Sequence, residues 1–295
     1  MSAELSCNIC GDKNYTVLFP PKVAQISQIV KCNTCGLMYA NPRSAVDLGS
    51  IELIDPDWLL NHLHRTWIQR RIEKERLQIR DYKDTCAFLR AYFPHAGRLV
   101  EVGSSFGFLS SFFRESGWVV TGVDPNRGLC RYAKSELYLN VFPSSLEKVD
   151  IPAHSVDVVL MMHVIEHLTD PKESLSCVYK ILKPGGLLVL ETPRYDTWLF
   201  RCLGKRERSI RCDGHIYFFT SASLKELARR NGFEVVRLDY VGRSLTLDRV
   251  LYNLGIIFKN KVIADLLGKL SRLLRLNAFW VYLNLRDMQR VYLKK

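Results

Sequence analysis

The 295-residue sequence has no apolar run long enough to span a bilayer, and Met1–Leu5 lack the basic start and apolar stretch of a secretion signal. These absences predict a cytoplasmic protein. Nine cysteines, an odd number, suit a reducing compartment better than a disulfide scaffold. The G-x-G-x-x-G register of a dinucleotide-binding turn is missing, and so is a P-loop lysine, which argues against NAD and ATP. Acidic residues are in deficit, 30 against 42 Lys and Arg, leaving a net charge of +12. After Gly242 there are eleven Lys and Arg against three Asp, so most of that excess lies in the C-terminal stretch. With 47% hydrophobic residues the chain can bury one full α/β core and carry smaller appendages.

Four of the cysteines are paired. Cys7-Asn8-Ile9-Cys10 and Cys32-Asn33-Thr34-Cys35 form two C-x-x-C knuckles, followed by Gly11 and Gly36. Two thiolates on each of two tight turns supply the tetrahedral sulfur set of a structural zinc site; iron in the same cage, or four ordinary reduced cysteines, are the other readings. Only Lys13, Lys22 and Lys31 are basic near or between the knuckles, with Tyr15 and Phe19 as the aromatics. No charged stacking platform for nucleic acid results. A structural or substrate-positioning module, stapling a segment too small to hold its own core, fits better.

The sequence is organised around Leu99-Val100-Glu101-Val102-Gly103-Ser104-Ser105-Phe106-Gly107-Phe108-Leu109. An apolar strand ends in an acid, a glycine-bearing turn follows, and apolar residues open a helix, a design that brings backbone close to a nucleotide-like ligand. Asp124, after a second apolar strand, follows Gly103 at the spacing of a carboxylate that reaches a ribose hydroxyl in a doubly wound sheet. Together these predict an adenosine-containing cofactor.

This stretch resembles the first motif of class I S-adenosylmethionine-dependent methyltransferases, with Ser105 where a middle glycine is common. Ser155 to Pro171 resembles the fourth strand and following helix of that superfamily, and Leu182-Lys183-Pro184-Gly185-Gly186 through Pro193 resembles the turn and fifth strand. The branch it resembles contains ubiquinone-pathway O-methyltransferases and bacterial sugar and polysaccharide methyltransferases. The resemblance implies an α/β fold with a Rossmann-like, seven-stranded, doubly wound sheet. It also implies S-adenosyl-L-methionine as cofactor: Glu101 and Gly103 at the methionine end, Ser104 and Gly107 in the turn, Asp124 on the ribose, Ser145 and Leu146 at the adenine edge, and His163 beside the cofactor.

Methyl transfer from a sulfonium needs an aligned acceptor and a base for its proton. His163, Glu166 and His167 follow the fourth strand at relative positions 0, +3 and +4, one face of any helical turn there. In one reading His167 is the base and Glu166 orients it. In the other the trio binds a divalent cation, as acids and histidine do in the similar ubiquinone-pathway enzymes, although His163 stands in place of an acid. A third reading has Glu166 and His167 only hydrogen-bonding the loop. His215, just before a helix that Thr220 or Ser221 can cap, matches a histidine that faces the acceptor pocket in the resembling branch; the other reading is a buried turn histidine.

The organisation expected is a zinc ribbon over 1–45, a helical linker or lid over 46–97, the methyltransferase core over 98–242 and a basic amphipathic helical tail over 243–295. Residues 262–276 carry an apolar stripe opposite Lys and Arg, which suits a peripheral contact with an anionic membrane, a helix docked on the sheet, or a homodimer interface. The functional expectation is O-methylation of a small molecule or glycan, a nucleotide sugar or lipid-linked polysaccharide, with histidine as general base. RNA or protein methylation and a non-catalytic zinc- and cofactor-binding scaffold are the alternatives.

Overall fold

The computed structural model describes residues 5–20, 28–42, 55–207, 210, 214–247, 250–251 and 279–295. Residues 262–276, on which the membrane and dimer readings rest, lie outside them, as does Cys212. No helix among the described residues is long and apolar enough to cross a membrane.

The N-terminal strands β1 (Tyr15–Phe19), β2 (Ile29–Cys32) and β3 (Met38–Ala40) form an antiparallel meander around the two knuckles. Three helices follow. Asp55 caps α1 (Pro56–Asn61) by accepting from Trp58 N, with Pro56 preset for the first turn. Within the helical linker or lid expected over 46–97 also lie α2 (Thr66–Gln78), a 3-10 turn over 79–82, and α3 (Lys83–Tyr92).

The core alternates strands with helices: β4 (Arg98–Val102), α4 (Phe108–Glu115), β5 (Val119–Val123), α5 (Arg127–Leu137), β6 (Asn140–Phe142), β7 (Val156–Met162), α6 (Pro171–Ile181) and β8 (Leu182–Pro193). After them come α7 (Trp198–Leu203), β9 (Tyr217–Phe218), α8 (Ser221–Arg230), β10 (Glu234–Thr246) and β11 (Trp280–Lys294). Strands β8, β7, β4, β5 and β6 run parallel in that order; β11 pairs antiparallel with the β8 edge and β10 antiparallel with β11, making a seven-stranded sheet. The alternation of strand side chains splits the core into two layers. Val100, Val159, Met161, Leu188, Leu190, Val291 and Leu293 pack on one face; Leu99, Val158, Leu160, Leu187, Val189 and Tyr292 pack on the other. Burial on this scale, about 1.5–3 kcal/mol per large apolar side chain, is what makes near-continuous apolar runs strands of a covered parallel sheet.

Two features differ from the sequence reading. Residues 280–294 form a strand within the sheet, where a helical tail was expected: Met288–Lys294 pair on both sides, Val291 with Leu238 and Leu190 and Leu293 with Val235 and Leu188, while Trp280–Leu283 pair with β10 alone. Part of the tail's positive charge is therefore internal. Arg290 is 2% exposed and Arg243 is paired with Asp287 at 2.7 Å. In addition, the ribbon is not a separate sheet: β3 pairs antiparallel with β9 of the core, Met38 against Phe218 and Tyr39 against Tyr217.

Candidate active site

The carboxyl ends of β4, β5, β7 and β8 converge as expected for a ligand site in a parallel sheet. After β4 the chain turns through Gly103, at φ +75°, and enters α4 through Gly107, at φ +84°. Glycine is required at both. A Cβ on Gly103 would stand 2.4 Å from Val164 Cγ2, and one on Gly107 would stand 2.5 Å from Leu139 Cδ1.

Asp124 braces this loop. One of its carboxylate oxygens accepts from Ser105 N at 2.8 Å and the other from Asn126 N at 2.8 Å. Glu101 lies beneath, 4% exposed, accepting from Ser110 Oγ at 2.5 Å. Burial pushes its carboxyl up to about 8 despite that bond. Ser104 is buried, and its Oγ has no hydrogen-bond partner among the described residues. From outside, α2 closes on the loop: Arg71 donates to Ser105 Oγ at 3.3 Å, and Ser105 donates to Glu75 at 3.0 Å. Neither Arg71 nor Glu75 stood out in the sequence, where only their i,i+4 spacing hinted at a shared face.

At the end of β7, His163 takes a left-handed backbone, φ +57°, and the 3-10 turn Ile165–His167 begins only two residues later. The single helical face expected for His163, Glu166 and His167 is therefore not formed. His163 instead points between two buried carboxylates, Nε2 3.2 Å from Glu191 and Nδ1 3.6 Å from Glu166. Burial would lower its pKa, but Glu166 and Glu191 raise it to about 9. Glu191, which burial alone would push up, is held at about 2 by Arg290 and His163. Arg290 donates Nε to Glu191 at 2.6 Å, and its remaining nitrogens reach Thr85 Oγ1 at 2.8 Å and the Asp81 carbonyl at 3.2 Å. The sequence reading missed Glu191 and Arg290. The available signal was a lone acid closing the apolar run Leu187-Leu188-Val189-Leu190-Glu191.

His167 and His215 meet, ring centroids 4.6 Å apart and nearly perpendicular. His167 Nδ1 lies 2.9 Å from the Gly214 carbonyl. That carbonyl can only accept, so Nδ1 carries a hydrogen, and the neutral ring is the tautomer with its lone pair on Nε2. Glu166 is fully buried; burial raises its pKa, but the cationic His163 beside it outweighs that and keeps it below the usual carboxylate range. Its Oε2 accepts from Thr192 at 3.0 Å, and Oε1 has no hydrogen-bond partner among the described residues. Donor atoms of Glu166, His167 and His215 all lie within 4.8 Å of one another. Val164, against Gly103, places this cluster next to the glycine loop.

Ser145 precedes a 3-10 turn over Leu146–Lys148, with Leu146 buried. Leu146 also lines a groove of about 310 Å³, with Val149, Ile151, Cys177 and Ile181, which includes none of the loop or histidine residues.

In the ribbon, Sγ of Cys7 and Cys35 are 3.3 Å apart and those of Cys10 and Cys32 are 3.5 Å apart, with all four within 4.8 Å of one another. Four sulfurs about 2.3 Å from a tetrahedral zinc lie about 3.8 Å apart, so the cage fits that ion. Gly11 N and Gly36 N donate to the Cys7 and Cys32 carbonyls at 2.8 and 3.0 Å, closing each knuckle.

The chain is 37% identical over 100 residues to a ubiquinone biosynthesis O-methyltransferase of Rhodopseudomonas palustris, covering 32% of this chain and 39% of that one. To the enzyme of the same name from Nitrosospira multiformis it is 29% identical over 169 residues, 53% of this chain and 70% of the other. The chain thus spans about two fifths of the length of the first relative. A solved S-adenosylmethionine-dependent methyltransferase from Mesorhizobium loti aligns with TM-score 0.49 and 18% identity over 73% of this chain and 98% of its own. The profile of the methyltransferase-domain family matches residues 70–238, more than half of the chain. That span runs from the helix that clamps Ser105, through the glycine loop and both histidines, into β10, and so the chain belongs to the methyltransferase-domain family.

Proposed function

We propose that the chain transfers the methyl group of S-adenosylmethionine to an oxygen of a small molecule or glycan, a nucleotide sugar or a lipid-linked polysaccharide, and that His167 and His215 handle the acceptor's proton. The observation that carries this reading is the His167–His215 pair, 4.6 Å apart beside buried Glu166 and next to the glycine loop. Methyl displacement needs the acceptor oxygen in line with the sulfonium and its proton removed as the bond forms. His167 suits the base: its Nδ1 hydrogen is tied to Gly214, leaving Nε2 to accept. His163, ion-paired with two carboxylates, is not available for that task. Glu101, Gly103, Ser104, Gly107 and Asp124 form the cofactor loop, with Ser145 and Leu146 toward the adenine. Zinc in the four-cysteine cage serves a structural role.

A second reading rests on the donor set Glu166, His167 and His215, which replaces the trio containing His163. A divalent cation held there would acidify the acceptor hydroxyl. Turnover lost to a chelator and restored by magnesium or manganese would select it. The principal test is His167→Ala and His215→Ala: each is expected to lower methyl transfer by about 10²–10⁴-fold while cofactor affinity stays. Full activity in both variants would refute the assignment.

A further inference from the structure

The ribbon and the histidine pair are joined at two points. Asn8 sits between Cys7 and Cys10 in the first knuckle, and its side chain donates to Asp170 Oδ1 at 2.9 Å and accepts from Lys172 N at 3.1 Å. Asp170 lies three residues after His167. On the other side, Ala40 N donates to the Ile216 carbonyl at 2.9 Å, and Ile216 N donates to the Glu166 carbonyl at 2.9 Å. The residue next to His215 is therefore held between a ribbon strand and the turn that carries Glu166 and His167.

We infer that the ribbon is a positioning element of the acceptor site, with Asn8 as a positioning residue that ties the metal-holding knuckle to the segments carrying His167 and His215. The inference rests on the proposed role of those two histidines. Helix capping alone does not account for Asn8, because Asp170 already accepts from both Lys172 N, at 3.0 Å, and Glu173 N, at 3.1 Å. The cap of α6 is complete without it; what Asn8 adds is the bond between knuckle and core. Nor is the ribbon a passive appendage, since Cys7, Ile9, Cys32 and Leu37 share one buried cluster with Ile165, Ile216 and Phe218. A metal on the four sulfurs fixes the backbone on either side of Asn8. That rigidity then passes to the active-site wall through one side-chain pair and one strand pair.

The test uses the zinc-loaded full chain, its Asn8→Ala and Asn8→Asp variants, and three readouts: metal content by native mass spectrometry, S-adenosylmethionine affinity by calorimetry, and the ring C2–H nuclear magnetic resonances of the histidines. Both variants are expected to keep one zinc and cofactor affinity within about twofold, while the His167 and His215 resonances move and those of the remote His95 and His154 stay. Asn8→Asp, which cannot donate to Asp170 and adds a like charge, moves them further. Unmoved His167 and His215 resonances in both variants overturn the inference, and so does loss of zinc or cofactor affinity along with general resonance shifts, which would mark Asn8 as a plain stability residue. Failure of the wild-type chain to bind S-adenosylmethionine would count against the proposed function, whereas the resonances would still decide the positioning.

Discussion

Arg290→Met leaves a buried carboxylate without its cation, and the structure sets the size of the effect. Arg290 and Glu191 are both 2% exposed, with Arg290 nitrogens 2.5 and 2.6 Å from the same Glu191 oxygen. Charges about 4 Å apart attract by about 4 kcal/mol at an effective dielectric constant near 20. Breaking one side of a buried pair typically costs about 3–5 kcal/mol, because the remaining charge cannot be hydrated. His163, 3.2 Å from the other Glu191 oxygen, partly compensates, which places the expected loss near the lower end, about 3 kcal/mol. Urea unfolding followed by tryptophan fluorescence reads this as a fall in midpoint of about 1 M for a chain of this size. Glu191→Gln should cost a similar amount by orphaning Arg290. The double variant should be more stable than the sum of the two losses by about 2 kcal/mol or more, since neither charge is then stranded. A single-variant loss below about 1 kcal/mol, or simple additivity, would refute the reasoning.

Gly103→Ala should lower cofactor affinity by about tenfold or more in calorimetry, because a methyl 2.4 Å from Val164 pushes on the turn bearing Glu166 and His167, and φ +75° adds about 1–2 kcal/mol of backbone strain. Unchanged affinity would mean that the loop is not the cofactor cradle. Glu101, raised by burial to about 8, binds a proton in the folded chain that the unfolded chain releases near 4.5, so its contribution makes stability fall as pH rises from about 4.5 to about 8. Melting temperatures of Glu101→Gln across that window should lose this component of the slope; an unaltered slope would show that Glu101 does not titrate there.

The features legible in the sequence were those carried by local pattern. The acid and glycines of Glu101 to Gly107, the spacing to Asp124 and the paired knuckles each encode their geometry within a few residues, and Thr220 caps α8 by a capping box with Ser223. What stayed hidden depends on partners far along the chain. Arg290 reads as one more tail charge until β11 is seen beside β8, and Glu191 reads as a strand-end acid until Arg290 arrives from 99 positions away. His163 fell out of the expected helical face because its left-handed backbone re-aims the side chain, and no spacing rule reports φ. The bond between Ala40 and Ile216 joins segments too distant for any local signal.

The place of β11 between β10 and β8 also constrains how the protein is made. While residues 280–294 are still being synthesised, β8 has an open edge and Glu191 lacks its arginine, so a nascent chain that has already produced the glycine loop, both knuckles and both histidines cannot yet hold them in a finished sheet. Pairing across such long sequence separations is slow to nucleate. Until β11 slots in, the exposed edge of β8 is a surface through which newly made chains can pair with one another.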